Sequence, residues 1–157
     1  MTTANLFGQR KFAWNLEVDV KGAGFRGRLD YAIGTVPNRG ERVKPVLIVL
    51  EAKGPQKGVQ HPECVAQMVA ELLAVGAPEN NHGQRVEVFG ILTDAEHWAF
   101  YRMDENKQYR IFKTSFGTNP HDKKAQEKML GYVLNTIDTA LEAHTPQLHQ
   151  RSQPGES

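Results

Sequence analysis

Apolar and polar residues alternate along WNLEVDV, residues 14–20, with the two-residue period of a half-buried strand. KGAG at 21–24 carries the glycines of a turn. FRGRLDYAIG at 25–34 resumes the alternation, which assigns Leu29, Tyr31 and Ile33 to one face and Arg28, Asp30 and Ala32 to the other. TVPNRGERVK then reads as a polar loop. In PVLIVLEAK, 45–53, the alternation disappears: apolar residues occupy both faces as far as Leu50, which predicts a central strand covered on both sides.

The helical period follows. After the connector GPQKGVQHPE, Pro62 and Glu63 suit the first turn of a helix, and ECVAQMVAELLAVG places Val65, Met68, Val69, Leu72 and Leu73 at helical spacing before Gly76. VEVFGILTD (86–94), HWAFYRM (97–103) and QYRIFKT (108–114) are short enough and close enough to form a meander of strands. DKKAQEKMLGYVLNTIDTALEAH (122–144) predicts a long amphipathic helix with Leu130, Val133, Leu134, Ile137 and Leu141 as its stripe. The end of the chain, 144–157, is polar and reads as a disordered tail. Three strands, a helix, further strands and a helix give an α/β or α+β fold: one mixed sheet with helices packed against it, in a single domain over 1–143.

Composition changes this picture little. The chain has 157 residues, 39% hydrophobic and 24% charged, as a soluble globular domain does. Cys64 is the only cysteine, which excludes an internal disulfide and a cysteine zinc site within one chain. No apolar run is long enough to cross a membrane, and MTTANLFGQRKFAW lacks the apolar core of a secretory signal, so an intracellular setting (cytoplasm, or nucleus in a eukaryote) is expected. Charge is uneven. Residues 1–60 carry 10 Lys/Arg against 5 Asp/Glu, and the remainder carry 9 of the chain's 19 basic residues and 13 of its 18 acidic ones. The basic half suits a polyanion.

That half contains the main candidate chemistry. Glu51 and Lys53 stand two apart at the end of the central strand, so both side chains point to one face, about 7 Å apart. Charges there are costly unless they pair or hold a ligand. If the preceding strand pairs antiparallel, Asp30 stands beside Glu51, and a shared divalent cation relieves the repulsion between the two carboxylates. Such a cation polarises a phosphodiester and activates water, and a lysine beside it stabilises the developing charge. The backbone carbonyl of Ala52 is a further candidate ligand. The six histidines show no ligand spacing, no phosphate-loop motif is present, and Cys64 reads as a small core residue.

G-R-L-D at 27–30, an apolar strand ending E-A-K at 51–53, and a glutamine on the next helix together resemble the PD-(D/E)xK nuclease superfamily. The likeness is to its RecB-like branch and to the N-terminal nuclease domains of type I restriction enzymes, and LTDAEHWAFYR is similar to a hairpin of those domains. The resemblance spans roughly residues 14–103. It implies a restriction-endonuclease-like fold and a Mg²⁺- or Mn²⁺-dependent nuclease acting on DNA or RNA. Asp30, Glu51 and the Ala52 carbonyl would be the metal ligands, Lys53 the catalytic lysine, and Gln67 the helix glutamine. Two features depart from that pattern. Glu17 or Asp19 would have to stand in for an acidic residue on a helix ahead of the first strand, and Glu71 replaces a tyrosine. Glu63, Gln67 and Glu71 also form a polar stripe with the spacing of a solvated helix face. Lys57, Arg39, Arg42 and Lys44 flank the site and are candidate phosphate contacts. The partner implied is nucleic acid, DNA first, with a homodimer or larger protein assembly. The other reading is a catalytically inactive subunit of the same fold, serving as an assembly or nucleic-acid-binding module.

Overall fold

The structure is a computed structural model that describes residues 4–7, 10–35, 46–54, 56–113 and 121–149. One seven-stranded sheet runs in chain order. Its strands are β1 (Ala4–Phe7), β2 (Arg10–Gly22), β3 (Phe25–Thr35), β4 (Val46–Ala52), β5 (Val88–Thr93), β6 (Trp98–Met103) and β7 (Tyr109–Lys113). Helix α1 (Pro62–Val75) joins β4 to β5, and α2 (Lys123–His149) follows β7. Every neighbouring pair is antiparallel except β4 and β5, which are parallel because the α1 crossover returns the chain to the same edge. This is the mixed α+β single-domain sheet expected from the hydrophobic pattern. No described helix is long and apolar enough to cross a membrane.

The two helices cover opposite faces. Val49, Val88, Leu92, Ala99 and Tyr101 meet Cys64, Met68, Leu72 and Val75 of α1. Ile48, Phe89, Ile91 and Phe100 meet Tyr132, Val133, Ile137, Ala140 and Leu141 of α2. β4 and β5 are therefore covered on both sides, which is why their sequences are apolar without alternation. Two details differ from the expected stripe and tail. Leu130 and Leu134 are exposed at 52% and 45%, because the face of α2 that lies on the sheet is the one bearing Tyr132, Val133, Ile137, Ala140 and Leu141. The helix also continues to His149, into the stretch read as tail, while 150–157 lie outside the described residues.

Helix α1 has defined ends. Pro62 opens it, and His61 is the N-cap, its ring Nδ1 accepting from the Glu63 N–H at 3.3 Å. Gly76 closes it, and the last carbonyls take side-chain donors: Asn80 Nδ2 to Ala74 at 2.8 Å, Asn81 Nδ2 to Val75 at 2.7 Å, and Arg85 to Leu73 at 3.2 Å. Asn80 Nδ2 also donates to the Lys21 carbonyl at 2.9 Å, tying the end of β2 to the helix. At Gly22 an added Cβ would lie 2.6 Å from the Ala74 carbonyl oxygen, a backbone atom that cannot swing away. Gly22→Ala is therefore expected to destabilise the fold by about 1–3 kcal/mol. A urea midpoint equal to that of the wild type would show that the approach is slack.

One departure from alternation matters for the site. Leu29 lies in the α1-side core with Val18 and Val20, yet Ile33 packs on the α2 side, and Tyr31 stacks on Trp14 at a centroid distance of 6.0 Å. Leu29, Tyr31 and Ile33 thus do not share a face, contrary to the strict alternation. The change falls between the pairs Leu16–Tyr31 and Val18–Leu29. Between them stands Glu17 with φ 49°, in the left-handed region, which costs a non-glycine residue roughly 1–2 kcal/mol. The β2–β3 register is the same on either side of this position, so no residue is inserted there. The residue facing it across the ladder is Asp30.

Candidate active site

The β3–β4 ladder pairs Ile33 with Ile48, Ala32 with Val49, and Tyr31 with Leu50. The next position would set Asp30 against Glu51. There the backbone pairing stops and side chains replace carbonyls. The Asp30 N–H donates to Glu51 Oε1 at 3.2 Å, and the Ala52 N–H donates to Asp30 Oδ2 at 2.9 Å. The two strands part at this point, and each carboxylate is anchored by a backbone N–H of the opposite strand. In an extended strand the N–H and C=O of one residue point to the same side, so the Ala52 carbonyl is directed toward β3 as well. The next amide alternates: Lys53 N–H donates to the Thr93 carbonyl of β5 at 2.7 Å. Asp30, Glu51 and the Ala52 carbonyl thereby face the gap between the two strands.

Glu51 is 1% exposed. Burial raises its pKa above the usual carboxylate range. The Asp30 charge adds to the rise, while the Asp30 N–H and Lys53 oppose it. Lys53 Nζ lies 3.2 Å from Glu51 Oε2 and donates to Gln67 Oε1 at 2.7 Å. The Gln67 amide nitrogen donates onward, to Glu51 Oε2 at 3.3 Å and to Glu71 Oε1 at 2.7 Å. All four side chains lie on the α1 side of the sheet, and they form one continuous network.

Glu71 was the residue least visible in the sequence. The polar stripe Glu63–Gln67–Glu71 is not a solvated helix face: Glu63 is exposed, Gln67 is half-buried and Glu71 is fully buried. The helix turns inward along this line toward Glu51. Burial drives the Glu71 pKa up to about 8, the Gln67 N–H opposes the rise, and the charge of Glu51 and a side-chain contact with it reinforce it. Glu71 is then largely protonated at neutral pH. Its Oε2 has no hydrogen-bond partner among the described residues. A sequence signal existed, since Glu71 follows Met68 by three residues and precedes Val75 by four, on the buried stripe.

The remaining candidates lie elsewhere. Lys57 is exposed and paired with Glu63 at 2.5 Å. Arg39, Arg42 and Lys44 lie outside the described residues. Glu17 and Asp19 are exposed and turn to Arg28, at 3.8 and 3.2 Å. Cys64 is buried in the α1-side core, as expected.

Among the described residues no group of three or more His, Cys, Asp or Glu side chains is arranged to hold a metal ion. The donor set at the gap is smaller: two carboxylates and a carbonyl, all oxygen. Mg²⁺ commonly takes one or two carboxylates and completes its shell with water and phosphate oxygens. Two like charges anchored in one gap fit such a hard cation. No family model, no curated protein and no solved structure matches this chain.

Proposed function

We propose that this chain is a divalent-metal-dependent nuclease of the PD-(D/E)xK type, hydrolysing phosphodiester bonds in nucleic acid, DNA first. The observation that carries the reading is the parting of β3 and β4, where Asp30 and Glu51 exchange bonds with each other's strands and Lys53 follows on the same face. Asp30, Glu51 and the Ala52 carbonyl would hold Mg²⁺ or Mn²⁺, which when bound polarises the phosphate and lowers the pKa of a water. The protein's own groups do the rest. The two backbone N–H anchors fix both carboxylates without side-chain freedom. An ammonium has three N–H donors; Lys53 commits one to Gln67 and one to Glu51, leaving the third for a phosphate oxygen or the attacking water. Lys53 then stabilises charge that grows on the phosphate as the bond breaks.

The test is cleavage of plasmid and single-stranded DNA, and of RNA, with Mg²⁺, with Mn²⁺ and with EDTA. Cleavage is expected with metal and absent with EDTA. Calorimetric titration with Mn²⁺ is expected to give a binding signal that Asp30→Asn removes, because the carboxylate becomes a neutral amide. Nucleic-acid or partner binding with no metal response, and no cleavage of any substrate, would instead identify the non-catalytic module.

A further inference from the structure

The helix residue behind the lysine has its own part in this arrangement. Gln67 can face Lys53 with its oxygen or with its NH₂, and only the oxygen is useful, because an ammonium has no acceptor. With the oxygen on Lys53 Nζ at 2.7 Å, the NH₂ group needs acceptors on the other side. Glu51 supplies one at the long distance of 3.3 Å, and Glu71 Oε1 supplies the close one at 2.7 Å. Glu71 is 0% exposed, so water does not substitute for it.

We infer that Glu71 is a positioning residue that locks the Gln67 amide, so that Gln67 holds the Lys53 ammonium against Glu51 in the orientation catalysis requires. The inference rests on the nuclease reading for its consequence, though not for its geometry. Glu71 holds no metal-ligand position and reaches Lys53 only through Gln67. Its Oε1 accepts from the Gln67 NH₂. The side chain of Glu71→Gln keeps a carbonyl acceptor for that NH₂. The side chain of Glu71→Leu fills a similar volume and offers no acceptor.

The experiment compares Glu71→Leu, Glu71→Gln, Gln67→Ala and the double variant Gln67→Ala/Glu71→Leu, in cleavage assays and in side-chain amide NMR of the metal-free protein. Loss of a supporting partner of this kind typically costs 10–100-fold, so Glu71→Leu is expected to lower kcat by about that factor with KM nearly unchanged. Glu71→Gln is expected to recover most of that loss. The double variant is expected to be no slower than Gln67→Ala, since Glu71 acts through that amide. In the NMR spectrum the Gln67 NH₂ pair is expected to keep its shifts in Glu71→Gln and to move toward solvent-exposed values in Glu71→Leu. Unchanged Gln67 resonances in Glu71→Leu would overturn the inference, as would a loss in kcat that adds in full to that of Gln67→Ala. A wild-type protein that cleaves nothing would remove the nuclease reading, and the amide resonances would still decide whether Glu71 orients Gln67.

Discussion

Lys53→Ala is expected to lower kcat for DNA cleavage by about 10²–10³-fold, the usual cost of removing one preorganised donor from a developing phosphate charge. The size follows from how the amine is held. Its side chain is 16% exposed and fixed by Gln67 at 2.7 Å and Glu51 at 3.2 Å, so little reorganisation is required when charge appears on the substrate. Lys53→Arg is not expected to restore activity, because a planar guanidinium does not occupy the site of a compact ammonium between an amide oxygen and a carboxylate. Mn²⁺ binding is expected to survive both changes, since neither alters Asp30, Glu51 or the Ala52 carbonyl. The check is single-turnover cleavage with saturating metal, alongside circular dichroism and Mn²⁺ calorimetry of each variant. Cleavage by Lys53→Ala within tenfold of the wild type would remove Lys53 from the catalytic machinery.

The chain declared its central strand plainly. Val46 to Leu50 is apolar on both faces and rich in β-branched residues, the mark of a covered strand, and the charges of Glu51 and Lys53 follow at its end beside the core. The antiparallel neighbour then brought Asp30 to Glu51 by register alone. What the period could not reveal was the rotation at Glu17. A left-handed φ at a glutamate is imposed by its surroundings and leaves no mark on the hydrophobic pattern, so Leu29 and Ile33 seemed to share a face that they do not share. Glu71 was hidden for a related reason. A carboxyl group scores as polar whether or not it is ionised, and it is burial, reinforced by the charge of Glu51, that makes the neutral acid the stable form.

That neutral acid has a measurable consequence for the metal-free protein. The Glu71 pKa is about 8 in the fold against an ordinary 4.5 in the unfolded chain. Between those values the folded state holds a proton that the unfolded state has released, so stability must fall as pH rises. The contribution is fully present below about pH 4.5 and is lost as pH passes about 8. Its size is on the order of 5 kcal/mol, shared with Glu51, whose pKa is raised in the same direction and which titrates with Glu71 as a pair. Groups with depressed pKa values, such as Asp94 held by the His97 and Glu96 backbone N–H groups, act in the opposite sense and only at lower pH. Glu71→Gln removes the Glu71 titration while keeping the bond to Gln67. Urea midpoints in EDTA are therefore expected to fall for the wild type between pH 5 and pH 8.5, and to fall much less for Glu71→Gln, with the variant the more stable protein at the alkaline end. Parallel pH curves for the two proteins would mean that Glu71 is ionised in the fold.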